Sequence, residues 1–239
     1  MALTFDVLQP GGSANGAGVI YMVSGGWFSR WAPPERAVER HARLLDSGFT
    51  MFLVRHGSSP RYKVPDAAED AGRAVLYIKL HARDFGVDPD RLGVFGGSAG
   101  GHLSLLVGLD SELGVDSTDN GRKETGRVAA VVAYFPPVDL RSWIGPSRRF
   151  PALDFADSLA NSVSPILFVS PDDPPTLLIH GDADELVPLS HSERMYSALQ
   201  RHGVPSKFIV LPGAPHGFRG EDATNAMTAL IAWFEEHLN

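Results

Sequence analysis

Short apolar runs alternate with longer amphipathic stretches almost from end to end of the chain. Gly18–Val23 (GVIYMV), Thr50–Val54 (TMFLV), Leu92–Phe95, Val128–Tyr134 (VAAVVAY), Thr176–His180 (TLLIH) and Lys207–Leu211 read as strands. Their apolar residues are consecutive rather than alternating, which suits a parallel sheet buried on both faces. Between them lie helical patterns. Pro34–Ser47 places Ala37, Val38, His41, Leu44 and Leu45 on one stripe, and Gly48 is positioned to stop it. Asp66–Phe85 carries a stripe of Ala67, Ala71, Val75, Ile78 and Ala82. Ala99–Leu109, Ser190–His202 and Ala223–Leu238 complete the set. The rhythm breaks once, over Phe135–Pro175, a segment rich in Pro, Ser and Asp without periodicity. Such a long irregular stretch reads as a lid or binding loop. The expectation is one doubly wound α/β domain spanning 1–239, with helices on both faces of a mostly parallel sheet and a single excursion.

Composition narrows the chemistry. The chain has 239 residues with 28 acidic against 21 basic side chains, a formal charge of −7. That balance argues against nucleic acid or an anionic membrane as main partner, since both need a basic footprint. With no cysteine, disulfides, thiolate nucleophiles and sulfur-ligated metal sites are excluded. No apolar run approaches a bilayer span, and the opening MALTFDVLQP lacks the basic and apolar regions of a secretory signal, so a cytoplasmic location is expected. The sequence leaves a homo-oligomer open.

The sharpest motif is Gly96-Gly97-Ser98-Ala99-Gly100-Gly101, between a strand pattern (RLGVF) and a helix pattern (HLSLLVGL). A serine on such a turn projects its hydroxyl above the sheet, with small neighbours to relieve crowding. The helix that starts there favours developing negative charge. A serine hydroxyl needs a base, and the base an orienting acid, in the chain order Ser, acid, His for this geometry. His180-Gly181-Asp182-Ala183-Asp184-Glu185 places acids just past a strand. Asp182, immediately at the strand end, is expected to hold the turn. Asp184 is better placed to reach a neighbouring loop. Pro212-Gly213-Ala214-Pro215-His216-Gly217-Phe218 supplies a histidine past the last strand. Of the other histidines, His102 is expected to be structural and His180 buried. His41, His81, His191 and His202 fall in helical patterns, and His237 is expected to be solvated. Oxyanion donors are sought first in the N–H of Ala99, then in the glycine-exposed backbone of Ser24-Gly25-Gly26-Trp27.

Four pieces, VSGGW, VDPDRLGVFGGSAGGHLS, SPDDPPTLLIHGDADELVP and LPGAPHGF, spread over residues 23–218, resemble the α/β-hydrolases of the hormone-sensitive-lipase-like or feruloyl/acetyl-esterase-like branch. The resemblance implies that Ser98, Asp184 and His216 form a catalytic triad and that Gly26, Trp27 and Ala99 donate to the oxyanion. It implies serine esterase activity with no metal or cofactor. The chain departs from the family at Ser24, where a histidine normally braces the oxyanion loop. It is also expected to lack the N-terminal cap of many lipase-like relatives.

Trp27, Phe28, Trp31, Tyr62, Trp143, Phe150 and Phe218 fall on loops expected to face the nucleophile, with Phe28, Trp143 and Phe218 the pocket candidates. Arg148-Arg149 reads as a solvated pair. The short lid points to small, soluble, short-chain acyl esters, acetylated or feruloylated carbohydrate among them. A prolyl-oligopeptidase-like peptidase or an arylformamidase would use the same triad, and a silent binding module would use none of it. Arg55-His56-Gly57 matches the string of histidine phosphatases, but it follows the second strong strand rather than the first, and the hydrolase reading needs only a loop there.

Overall fold

The computed structural model describes residues 3–113, 116–117 and 123–238. Among these residues nine strands and five α-helices follow in chain order: β1 Phe5–Leu8, β2 Gly18–Met22, α1 Pro34–Asp46, β3 Thr50–Val54, α2 Val64–Leu80, β4 Leu92–Gly97, α3 Ala99–Leu109, β5 Asp116–Ser117, β6 Lys123–Glu124, β7 Ala130–Tyr134, β8 Thr176–Gly181, α4 Ser190–Arg201, β9 Ser206–Leu211 and α5 Gly220–His237. Seven strands form the main sheet in the order β1-β3-β2-β4-β7-β8-β9. Every neighbouring pair is parallel except β1 with β3. β5 and β6 pair separately as a two-residue ladder.

The consecutive apolar runs are buried on both faces, as parallel strands between helices must be. One core layer joins Ile20, Phe52, Val94, Val131 and Leu178 to the apolar stripes of α2, α3 and α4. Ala67, Ala71, Val75 and Ile78 of the α2 stripe are all fully buried there. The other layer joins Val19, Met51, Phe95, Val132 and Ile179 to α1 and α5. α1 begins at a proline and is closed by Gly48 at φ +84°, a left-handed position that glycine occupies without strain. Arg43 on its outer face donates to Thr224 O and Thr228 Oγ1, tying α1 to α5. Among the described residues no helix is long and apolar enough to cross a membrane.

The structure revises several expectations. β1 was not visible in the sequence pattern: it is a four-residue edge strand, held by its register with β3 and by the Asp6–Arg55 ion pair. The stretch expected as one helix over Asp66–Phe85 starts earlier, at Val64, where Lys63 N–H donates to Asp66 Oδ2 in a capping arrangement, and breaks after Leu80. Ala82–Phe85 is a separate 3₁₀ turn ended by Gly86 at φ +72°. Val38 is exposed although it fell on the α1 stripe. His237 is not freely solvated: its Nε2 is buried without a hydrogen-bond partner, and its ring stands edge-on to Trp233.

The excursion Phe135–Pro175 carries four single 3₁₀ turns, at Pro151–Leu153, Asp157–Leu159, Asn161–Val163 and Pro165–Leu167. It buries Val138, Leu140, Ala152, Leu153 and Val163 in the α2/α3/α4 core layer. It is a packed wall of the molecule, in contrast to a detached flap.

Candidate active site

Parallel strands bring their carboxyl ends to one edge of a sheet, and the loops that follow them share that edge. Register aligns Gly97 with Tyr134, Tyr134 with Ile179, and Gly181 with Leu211. Ser98, the loop holding Asp184 and the loop holding His216 therefore rise side by side. Ser98 adopts φ 55°, ψ −121°, a strained conformation for a residue with a side chain. The strain is fixed from both directions. Ser98 N–H donates to Tyr134 O, and Ser98 O accepts the first helical bond of α3 from His102 N–H. A Cβ at Gly96 would lie 2.4 Å from the carbonyl carbon of Gly100, and one at Gly100 would lie 2.7 Å from Met22 O. Strand, turn and helix thus touch backbone to backbone.

The acid and the histidine reach this serine in a line. Ser98 Oγ lies 2.9 Å from His216 Nε2, and His216 Nδ1 lies 2.7 Å from Asp184 Oδ2. Since the carboxylate accepts, His216 carries its proton on Nδ1 and leaves Nε2 free to take the serine's. Asp184 Oδ1 accepts N–H bonds from Leu186 and Val187 at 2.8 and 2.9 Å, so both oxygens are directed. The buried His180 lies behind the acid, with Nε2 3.3 Å from Asp184 Oδ2; it donates to Val187 O and accepts from Ser192 Oγ. Asp182 does hold the turn, accepting from Gly213 N–H at 2.6 Å. Below these bonds, the end of β8 presses on the last loop: a Cβ at Gly181 would sit 2.0 Å from Ala214 O.

The second set of expected residues forms a tight hairpin. Gly25 and Phe28 exchange both backbone hydrogen bonds at 3.0 Å, with Gly26 and Trp27 between them at φ +57° and +58°. Positive φ at both central residues is the signature of a type I′ turn. The N–H groups of Gly26 and Trp27 find no acceptor among the described residues. Ala99 N–H belongs to the first turn of α3, which has no intrahelical acceptors. The two stretches are adjacent, because Ser24 O lies 3.3 Å from the Cβ position of Gly100. The arrangement offers a serine, a base with a fixed tautomer and, on the adjacent hairpin, N–H groups without an acceptor among the described residues. These are the parts for attack on a carbonyl and stabilisation of the resulting oxyanion.

Trp27 is a bulky residue at positive φ, so its conformation must be enforced by its surroundings. Its ring is buried, edge-on to His102 at 5.5 Å, with Nε1–H donating to His102 Nδ1 at 3.4 Å. His102 Nε2–H donates to Val163 O in the excursion at 2.8 Å. Burial pushes the His102 pKa down to about 4, so the ring is neutral and can accept from Trp27. The structural role expected of His102 is thus support of a predicted oxyanion donor.

The aromatic candidates separate. Phe218 lines a cleft of about 470 Å³ together with Phe135, with Gly97 and Gly217, the chain neighbours of Ser98 and His216, and with Arg40 and His41 of α1; Ser98 and His216 themselves do not line it. Phe28 and the exposed Trp31 line a second cleft along Ser24 and Gly25. Phe150 lies over Gly26, close enough that a Cβ there would approach its ring to 3.1 Å. Tyr62 covers Gly57 instead, and Trp143 packs edge-on to His191 at 5.0 Å on the α4 side, outside both clefts. Arg148 and Arg149 are exposed, the latter stacked over Phe150. One residue escaped the sequence reading. Phe135, at φ +37°, places its ring 4.6 Å from that of His216 and 4.8 Å from that of Phe218. The only available signal was its place directly after β7, next to the serine turn.

The comparisons with known proteins agree with this architecture. Esterase LipQ of Mycobacterium tuberculosis (strain ATCC 25618 / H37Rv) is 28% identical over 218 residues, covering 84% of this chain and 50% of LipQ. The chain spans about half the length of the curated relatives it matches. A truncated carbohydrate esterase from gut microbiota superposes with a TM-score of 0.80 at 27% identity, over 98% of this chain and 90% of that one. An acetyl ester-xyloside bifunctional hydrolase from Caldicellulosiruptor lactoaceticus superposes with a TM-score of 0.81 at 26% identity, covering 99% and 88%. The fold is that of the α/β-hydrolases, with the antiparallel edge strand β1 leading the parallel sheet. The BD-FAE family model matches residues 5–199, most of the sheet and the whole serine turn, and the chain belongs to the BD-FAE family.

Proposed function

We propose that this chain is a serine carboxylic-ester hydrolase acting on small, short-chain acyl esters, acetylated or feruloylated carbohydrate among them. The observation that carries the reading is the line Ser98 Oγ–His216 Nε2–Asp184 Oδ2, at 2.9 and 2.7 Å, beside unpaired N–H groups. The names of the relatives point the same way: an esterase, a carbohydrate esterase and an acetyl-ester hydrolase.

In the proposed mechanism Ser98 Oγ attacks the ester carbonyl as His216 Nε2 takes its proton. Asp184 keeps the imidazole in the correct tautomer and stabilises the imidazolium. Gly26, Trp27 and Ala99 N–H groups hold the tetrahedral oxyanion, and the α3 N-terminus adds its partial positive charge. His216 then protonates the departing alcohol, and water activated by the same nitrogen releases the acid from the acyl-enzyme. No cofactor or metal enters these steps. The cleft along Phe135 and Phe218 supports a short acyl or aryl group, since its volume of about 470 Å³ falls at the small end of ligand pockets.

The test is hydrolysis of p-nitrophenyl acetate, butyrate and octanoate by wild type and Ser98→Ala. A wild-type rate that disappears in the variant, fastest on acetate or butyrate, supports the proposal. Wild type no faster than the variant on every ester overturns it, and turnover of amide or formamide substrates would then favour a peptidase or formamidase.

A further inference from the structure

The Arg55-His56-Gly57 string takes no part in the line of the triad, yet it touches the loop that carries two of the proposed oxyanion donors. Register explains the meeting. Met22 of β2 pairs with Val54 of β3, so Ser24 and His56 each lie two residues beyond a matched pair. His56 is buried, and its Nε2 lies 2.8 Å from Ser24 Oγ. Its Nδ1–H donates to Gly57 O at 2.8 Å, which leaves Nε2 as the acceptor of the Ser24 hydroxyl proton.

The contact is one of a series. Ser59 N–H donates to Trp27 O at 3.1 Å, and Ser29 N–H donates to Ser58 Oγ at 3.1 Å. Ser29 Oγ donates to Val23 O at 2.6 Å and accepts from His56 N–H at 3.4 Å. Behind them Asp70 Oδ2 accepts from Gly57 N–H at 2.8 Å, which anchors the segment to α2. Residues 56–59 thus grip the hairpin 23–29 along its outer side. Of these bonds only Ser24–His56 joins two side chains immediately ahead of the donor turn.

We propose that His56 is a positioning residue for the oxyanion loop, acting through the Ser24 hydroxyl in place of a histidine within the loop itself. The role rests on the ester-hydrolase reading. The Ser24 bond sets the direction in which the chain enters Gly25, and so the aim of the Gly26 and Trp27 N–H groups. Trp27, a bulky residue at positive φ beside Gly26, needs such an external hold. His56 suits the task because burial lowers its pKa, keeping Nε2 unprotonated and able to accept.

The experiment compares Ser24→Ala, Ser24→Thr, His56→Phe and the double variant Ser24→Ala/His56→Phe on p-nitrophenyl acetate. Rates are expressed per active site titrated with a phosphonate ester, which removes any loss of folded protein. Full loss of one oxyanion donor costs about 10²–10³ in kcat, and a displaced one costs less. Expected is a drop in kcat of about 10-fold for Ser24→Ala and about 10- to 100-fold for His56→Phe, with KM within about twofold. Ser24→Thr, which keeps the hydroxyl, should stay within about threefold of wild type. The double variant should fall no further than His56→Phe, since both changes break one bond. Affinity for a trifluoromethyl ketone, which mimics the oxyanion, should fall in parallel with kcat. Unchanged kcat in Ser24→Ala, a loss confined to KM, or fully additive losses would overturn the role while the esterase reading stands. A wild type that neither turns over esters nor reacts with the phosphonate would overturn both.

Discussion

Two loop clusters meet at Ser98, one following β8 and β9 and the other following β2 and β3, and they are held by different kinds of bond. On the first side the proposed functional atoms are side chains. Asp184 and His216 find each other directly, and the backbone serves them through Leu186, Val187 and Gly213 N–H groups. On the second side the proposed functional atoms are backbone N–H groups, and side chains serve the backbone. Ser24, His56, Trp27 and His102 hold a hairpin whose useful donors carry no residue identity of their own. Chemistry done by a side chain restricts the residue at its position. Chemistry done by a backbone N–H restricts only conformation, which several sets of neighbouring residues can enforce.

Substitutions should expose that asymmetry most strongly on the first side. Ser98→Ala and His216→Ala should each lower kcat on p-nitrophenyl acetate by about 10⁴–10⁶, with little change in KM. Asp184→Asn should lower it by about 10³–10⁴, because an amide would favour the wrong tautomer of His216. Asp182→Ala, two residues away, should leave kcat within about threefold and lower the melting temperature instead, as it releases only Gly213 N–H. Equal losses in the two variants would contradict the separation of catalytic acid from turn support. On the second side Trp27→Phe keeps the ring but removes the bond to His102. Its kcat should fall by about three- to tenfold, measured per phosphonate-titrated site.

A last effect is one of pH and belongs to buried histidines outside the reacting groups. Burial pushes His41, His102 and His191 each down to about 4, against an ordinary value near 6.5 in the unfolded chain. The unfolded state therefore binds more protons between those values, so stability is full above about pH 6.5 and declines as pH falls towards 4. Urea midpoints at pH 7 and pH 5 should show the decline, and His102→Gln should make it shallower. A flat profile would mean that these rings are not held neutral.

The legibility of the site in the sequence follows the same division. The meeting of Ser98, Asp184 and His216 could be anticipated because a serine on a strand–helix turn calls for a base and an acid on loops past neighbouring strand ends. The buried strands and the α2 stripe could be read because burial on both faces leaves unbroken apolar runs. The Ser24 departure could be seen, but its partner could not, since His56 lies 32 residues away and the two meet only through the β2–β3 register. β1 escaped for a related reason: four residues with partial burial carry little periodic signal, and their pairing comes entirely from β3. The excursion was visible as a break in rhythm. Its packing was not, because isolated 3₁₀ turns lack a repeat that could mark their buried face.

The backbone-to-backbone contacts beneath the serine turn also bear on how the protein can vary. At Gly96, Gly100 and Gly181 the atoms that an added methyl would meet belong to the main chain, at 2.4, 2.7 and 2.0 Å. No rotamer change in a neighbour relieves such a clash, and no compensating substitution at a second position removes a carbonyl group. In a library saturated at every codon and selected for ester hydrolysis, these three sites should return glycine alone. The clefts around Phe28, Trp31 and Phe218 remain free to diversify. Selection for new substrates can therefore reshape the walls of the site while its floor stays fixed.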